Sequence, residues 1–340
     1  MLTARSGRTT VTLVALLVAI GFAALLSLAV GARSIPLVDT WNALIGNPTP
    51  NVPDAGELIW GQRFLRTALA IVVGLALGAA GALTQGHTRN PLADPGLLGV
   101  NAGAALAVCA ATFTLGFSDP AVLSIAAFIG AGLAASAILA ISARTSGSAP
   151  LVLLLAGVGL NAALIAFTSA LVLSDNATLE TWRFWTVGSV NGRTTDTLTV
   201  AAILIAFGLL AALINAGSLN ASTLGDDLAT SLGGSPAASR TTGLLTITLL
   251  TAAATAACGP IAFLGLVAPH LARLVSGPDY RTMVLLAAPI GALMLLICDV
   301  LGRIVAPPGE VASGIMVALI GAPFLIVLLN STRMFASARR

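Results

Sequence analysis

The sequence predicts an all-α, polytopic membrane protein of ten transmembrane helices. Three observations carry that reading. Of 340 residues, 57% are hydrophobic and 9% charged, and the mean hydropathy is +0.99. Surface-to-volume scaling leaves a water-soluble fold too much apolar area to hide at that composition. The apolar runs are continuous and about twenty residues long, the length of a membrane-crossing helix. They do not alternate apolar and polar residues in segments of roughly ten, as a membrane barrel would, and lipid offers no partner to free backbone groups, so helices are the default.

In chain order, Val11 to Ala32 is the first span, preceded by Arg5 and Arg8. Its apolar run is about twenty residues, beyond the 7–15 of a signal peptide, which favours a retained helix. The positive-inside rule then places the N-terminus in the cytoplasm. Arg33 to Gly61 is a polar, Pro-containing external loop, and Phe64 to Leu83 returns inward. Thr84 to Pro95 is an inside loop. Gly96 to Gly116 runs outward, Ala121 to Ala143 inward, and Leu151 to Leu173 outward again after a short turn from Arg144 to Pro150. Ser174 to Asp196 is external and holds an amphipathic piece, Trp182-Arg183-Phe184-Trp185, suited to the interface. Thr197 to Ala216 comes in. Thr241 to Cys258, Ile261 to Val275, Met283 to Gly302 and Val311 to Leu329 complete ten spans, leaving both termini inside. The count is least secure between Pro260 and Pro269, where two Pro and two Gly interrupt the run.

Between the sixth and seventh spans lies Gly217 to Arg240, the long polar segment of the second half. It is too short for a domain and long enough for one or two short helices outside the bilayer. Gly225, Gly233 and Gly234 read as helix ends and turns. All sixteen basic residues are Arg. Without Lys there is no Walker A phosphate loop, so any ATP that drives this protein binds another subunit. The net charge of +3 is too small to suggest a nucleic-acid partner. Cys109, Cys258 and Cys298 sit far apart inside apolar runs and read as small buried hydrophobes. His87 and His270 have no carboxylate or thiol cluster beside them, so no metal site is expected. His270 reads as a hydrogen bond between spans. Asp299, four residues before Arg303, reads as an i,i+4 ion pair rather than a proton relay. Gln85, Asn90 and Asn161 are candidates for the pathway or for inter-helix hydrogen bonds. Gly74, Gly78 and Gly81 read as close helix packing. Asn90 to Leu98 resembles Gly259 to Val267, with Pro and Gly at the same spacing and five spans between the copies. An odd separation is what an inverted repeat gives.

Several segments are similar, in order, to one family. They are QRFLR (Gln62 to Arg66), Gln85 with RNPLADPGLLGVNAGAA (Arg89 to Ala105), LLLAGVGLN (Leu153 to Asn161), LGDDLATSLG (Leu224 to Gly233), GPIAFLGLVAPHLARLVSG (Gly259 to Gly277), Asp299 with Arg303, and IGAPFLIVLL (Ile320 to Leu329). Together they resemble the FecCD-type, or BtuC-like, permeases of iron-siderophore and cobalamin ABC importers, from about residue 60 to 330. The resemblance implies a type II importer permease fold, with residues 1–340 as one transmembrane permease domain and 217–240 as its cytoplasmic coupling segment. It implies a bacterial inner-membrane subunit, not an enzyme, that dimerises with an identical or related chain. Two cytoplasmic ATPases would bind ATP and Mg, and an external binding protein would deliver a metal chelate. Ferric siderophore is the leading cargo, with haem or cobalamin the alternative. By the same resemblance Leu224, Gly225, Asp226, Asp227, Ala229, Leu232 and Gly233 belong to the ATPase-coupling helices. Arg63, Arg66, Arg303 and Glu310 would face the binding protein, where a guanidinium suits bidentate pairing with carboxylate. The chain departs from the family pattern here: Leu65 replaces a Pro, and Pro307-Pro308-Gly309-Glu310-Val311-Ala312-Ser313-Gly314 lacks a Pro before the last Gly. A rival class, an ion-gradient-driven transporter, would want acids or His at the membrane midplane, and the sequence offers no convincing set.

Overall fold

The computed structural model describes residues 2–31, 35–49, 52–143, 149–222, 225–231 and 233–337. Among them every regular element is helical. In chain order they are α1 (Leu2–Ala29), α2 (Leu37–Leu44), α3 (Ala55–Leu58), α4 (Phe64–His87), α5 (Val100–Leu115), α6 (Pro120–Ala143) and α7 (Ala149–Ser174). There follow α8 (Asn176–Thr186), α9 (Thr195–Ser222), α10 (Asp226–Ser231), α11 (Pro236–Cys258), α12 (Leu264–Ser276), α13 (Tyr280–Val305) and α14 (Ser313–Ser337). Among the described residues seven helices are long and apolar enough to cross a membrane, and three shorter apolar helices, α5, α12 and the Ser313–Val327 part of α14, accompany them.

The core is an antiparallel pairing of α4 and α13, built on glycine. Membrane helices gain no hydrophobic drive from lipid, so close backbone approach and dispersion hold them together. A Cβ on Gly74 would lie 2.4 Å from Cα of Ala292, one on Gly78 2.1 Å from O of Ala287, and one on Gly81 2.0 Å from O of Gly265. The i, i+4 spacing of Gly74 and Gly78 puts both on one stripe of α4, as the sequence pattern implied. Gly103 and Gly130 do the same between α5 and α6. The three cysteines are buried in this packing.

Three readings need correction. Arg33 to Gly61 is not only a polar loop. It contains α2 and α3, and Leu28, Ile35, Ala43, Val52, Ala55 and Ile59 form a small apolar cluster under it. From Ala55 the chain runs as helix through a π turn at Ile59–Arg63 straight into α4. Secondly, Gly217 to Arg240 is not one separate segment: its first six and last five residues belong to α9 and α11. α9 continues to Ser222 and α11 starts at Pro236. Their polar residues satisfy one another: Asn215 Nδ2 donates to Ser239 O (2.9 Å) and Thr242 Oγ1 (3.0 Å), and Ser239 Oγ bonds Ser218 Oγ (2.9 Å). Only α10 stands as a separate helix. Thirdly, Thr84 to His87 extends α4 rather than opening the inside loop.

The interruption expected near Pro260 is real. Gly259 to Phe263 is irregular, and Phe263 enters α12 in the left-handed region (φ 66°). Gly265 then lies against the ring of Pro95, so the two similar segments meet inside the bundle. The piece around Trp182 is helical, with Phe184 exposed and Trp185 buried.

Gly81→Val should cost several kcal/mol by overpacking against an unyielding carbonyl, read as lost monodisperse protein or a lowered Tm in detergent. Gly132→Ala, with nothing within 4 Å of the new Cβ, should stay within about 0.5 kcal/mol of the parent. Equal behaviour of the two variants would contradict the glycine-packed core.

Candidate transport and coupling sites

Two polar centres occupy opposite ends of the bundle. The first surrounds Asp299, which has no exposed surface. Arg66 grips it with Nε to Oδ1 and Oδ2 (3.0 and 2.9 Å) and Nη2 to Oδ1 (2.9 Å). Its remaining Nη1 donates to Glu310 Oε2 at 2.5 Å. Arg303, one turn along α13, donates Nε (3.1 Å) and Nη2 to Asp299 Oδ2. The expected i,i+4 pair is therefore present, with Arg66 as its second cation.

The same guanidiniums hold the end of α1. Arg303 Nη1 donates to the carbonyls of Ser27 (2.6 Å) and Val30 (3.0 Å), and Nη2 to Ser27 Oγ (3.0 Å). Arg63 Nη1 donates to the carbonyls of Leu28 (2.7 Å) and Ala29 (2.8 Å). Ser27 Oγ also meets Thr67 Oγ1 at 2.7 Å. The last carbonyls of a helix lack intrahelical N–H donors and carry partial negative charge. Three cations are thus balanced by two carboxylates and one helix C-terminus.

This corrects the expectation that Arg63, Arg66 and Arg303 end at the surface. They are 6%, 8% and 3% exposed, committed to partners within the chain, and neither snorkel nor stand out. Glu310 is the exposed member, and Asn191 Nδ2 approaches its Oε2 at 3.4 Å. The connection after Arg303 is pinned by Val311 N to Gly302 O (2.9 Å), Gly314 N to Gly188 O (3.0 Å) and Val190 N to Ser313 Oγ (3.2 Å). The helix start therefore holds without the Pro that the family pattern has.

The second centre lies where α4, α9 and α12 end and α11 and α13 begin. Gln85, 1% exposed, donates Nε2 to Leu266 O and accepts from Arg273 Nη2, both at 3.3 Å. It joins helices, as one of its two readings had it. His87 Nε2 meets Asn215 Oδ1 at 2.7 Å, tying α4 to α9. Asn220 bridges α9 to α13, with Nδ2 to Asp279 Oδ1 (2.6 Å) and Oδ1 accepting from Tyr280 N (2.8 Å). Burial works against the charge of Asp279, but hydrogen bonds from Thr282 and Asn220 outweigh it and hold the carboxylate below its usual range. Its cap on α13 is fully present above the ordinary carboxylate pKa and is lost as pH falls through the lowered value.

Asn90 instead closes a local turn, its Oδ1 accepting from Leu92 N (2.9 Å). His270 Nδ1 bonds Leu266 O, one turn back on its own helix (2.8 Å). Asn161 is half-buried on α7 and makes no hydrogen bond to another helix among the described residues. The sequence reading passed over Asn215, Asn220, Ser239 and Ser27. Asn215 carried a usable signal, an amide inside an apolar run.

Of the residues expected to couple to an ATPase, Leu224 and Leu232 lie outside the described residues. Gly225 precedes α10 with φ 109°, and its carbonyl accepts from Ala229 N (3.0 Å). Asp226 opens the helix and Asp227 is exposed on it, while Ala229 is buried. Gly234 N bonds Ala229 O and Gly233 N bonds Thr230 O, both at 2.9 Å, with Gly233 at φ 81°. That pair of bonds is a Schellman cap. The expectation that these glycines end and turn the helix is met. A cavity of about 410 Å³, lined by Gln85, Arg89, Pro91, Gly225, Arg273 and Tyr280, separates the helix start from the bundle.

Residues 16–331 match the model of the FecCD transport family. The chain is 42% identical over 320 residues to the ferric enterobactin transport system permease protein FepD of Escherichia coli (strain K12), covering 93% of each. It is 38% identical over 325 residues to the hemin transport system permease protein HmuU of Yersinia pestis, covering 94% of this chain and 95% of that one. A solved structure, described as an inward-facing conformation of a metal-chelate type ABC transporter, matches with a TM-score of 0.82 and 25% identity over 95% of this chain and 99% of that one.

Asp299→Asn should destabilise the detergent-solubilised chain by about 3–5 kcal/mol, because it leaves Arg66 and Arg303 buried without their shared anion. Glu310→Gln, at the exposed edge, should cost about 1 kcal/mol or less. Thermal unfolding of both variants checks the order.

Proposed function

The chain belongs to the FecCD transport family, and on that premise we propose that it is the permease subunit of an ABC importer, forming the membrane path for a ferric siderophore. The observation that carries the reading is similarity along almost the whole chain to the ferric enterobactin permease. The hemin permease, at 38% identity, keeps haem as the second cargo.

In this reading ten helices cross the membrane: the seven long ones, with α5, α12 and α14. The converging segments around Pro95 and Gly265 are the remnant of an inverted repeat. Both termini are cytoplasmic, so α10 faces the cytoplasm and the Asp299 centre faces outward. The chain pairs with a second permease, identical or homologous. Two ATPases carry ATP and Mg, and an extracytoplasmic binding protein delivers the chelate.

α10 is the coupling element. It is a rigid turn of helix between residues of positive φ, Gly225 and Gly233, with a cavity at its Gly225 end and Ala229 buried. ATPase closure then moves it as a body, and the continuous helices α9 and α11 carry that push into the bundle. Two packed arrangements that differ in interface contacts are all such a switch requires. Gln85, His87 and Asn215 join the helices that receive the push. At the other end, the Asp299 centre fixes the docking face. Arg63, Arg66 and Arg303 set its shape from within, and Glu310 presents it to the partner.

Replacing residues 225–231 with a flexible Gly-Ser linker should abolish ATP-dependent chelate uptake while folded protein persists, measured in vesicles containing the whole transporter. Uptake that survives would remove α10 from the mechanism. Glu310→Arg should weaken binding-protein docking at low salt and leave little difference at about 1 M salt, where screening shortens to roughly 3 Å. Docking unchanged at low salt would take Glu310 off that face.

A further inference from the structure

A crevice of about 410 Å³ opens between α6 and α9, with α11 as its floor. Ile125 and Phe128 of α6, Val200 and Leu204 of α9, and Ala253 and Ala256 of α11 are among its lining residues. From Asp196 to Leu204 it follows nine residues of α9, about 12 Å at the helical rise. That is most of one leaflet of a hydrocarbon core about 30 Å thick. The groups at its mouth are polar: Ser124, Asp196 and Thr197. A second cavity, of about 240 Å³, adjoins it at Ser124 and is lined by Ser118, Thr181, Phe184, Trp185 and Arg193.

Each cavity has one charged residue in its lining, Asp196 in the crevice and Arg193 in the second cavity. Arg193 Nε makes a long bond of 3.4 Å to Ser189 O. Arg193 and Asp196 form no ion pair with each other or with any other described residue. Asp119, also near this end, is used to cap α6 through Ala121 N and Val122 N. A cation and an anion three residues apart, above an apolar slot, complement a zwitterion with a hydrocarbon tail.

We propose that this crevice is a site for one phosphatidylethanolamine molecule of the leaflet at the Asp299 end. One acyl chain fills the slot between α6 and α9. The phosphate pairs with Arg193, and the primary ammonium donates to Asp196. Trp185 and Phe184 flank the headgroup, at the depth where aromatic rings collect in membranes. The lipid completes the packing of α6 on α9, which the small side chains of α11 leave open. The Arg–Asp pair selects the headgroup: an anionic lipid leaves Asp196 repelled, and a choline headgroup offers it no N–H donor.

The test reconstitutes the full-length chain in bilayers of equal phosphatidylethanolamine, phosphatidylglycerol and phosphatidylcholine. The protein is then extracted in mild detergent and its retained phospholipid quantified. About one phosphatidylethanolamine per chain is expected, at least fivefold over either competitor. Asp196→Lys should invert the preference toward phosphatidylglycerol, a gain that a misfolded variant would not show. Ala256→Leu, which fills the floor, should lower retention of all three at least fivefold. In the wild-type chain a phosphatidylethanolamine with a photoreactive acyl tail should label α6 and α9 residues of the crevice. Equal retention of the three lipids, an unchanged preference in Asp196→Lys, undiminished retention in Ala256→Leu, or label spread evenly over the exposed face of α7 would each overturn the assignment.

Discussion

One buried carboxylate organises an entire end of this molecule. Asp299 accepts from Arg66 on α4 and Arg303 on its own helix, and Arg303 passes the connection to the last carbonyls of α1. An isolated ion at this depth would be prohibitively costly, and a single pair would seldom repay its desolvation. The arrangement holds because every member is shared. One anion serves two cations, and a helix C-terminus supplies the remaining negative potential. α1 shows much of its surface, so its attachment relies heavily on this polar anchor.

Between the two ends the chain uses little polarity and much close approach. The Gly74, Gly78 and Gly81 stripe lets α4 meet α13 and α12 backbone to backbone. A rigid central pair gives the two polar ends a common frame. At the opposite end, His87–Asn215–Ser239 and Asn220–Asp279 tie α9, α11 and α13 to α4. The short helix α10 hangs from two of those helices with glycine at both ends. On either side of it α9 and α11 run as single long helices, the route by which the proposed coupling would reach the bundle.

Much of this was legible in the sequence, and the gaps have physical causes. Apolar length located the long helices, since bilayer thickness fixes it. Glycine spacing located the close packing, and positive-φ glycine located the ends of α10. The polar tract between α9 and α11 misled because composition cannot say whether polar residues face water or each other. Asn215, Ser218 and Ser239 pair across helices and keep Gly217–Ser222 helical. Arg63, Arg66 and Arg303 misled for a related reason. Arg303 does sit in the last turn of α13, but Arg63 and Arg66 lie within the helix that runs unbroken from Ala55, and burial depends on α1 folding over them, a contact hundreds of residues apart in the case of Arg303. His270 was assigned a partner on another helix, and its ring instead bonds the Leu266 carbonyl one turn back on its own helix.

The central claim is that this chain is driven by ATP bound to another subunit. Purification of the tagged chain from its native membrane, with every co-purifying subunit identified and counted, tests it most directly. One Walker-A-bearing ATPase per permease chain is expected, with either one permease species or two. A folded chain that emerges without an ATPase in several mild detergents, and that moves chelate on an ion gradient with no ATP present, would contradict it.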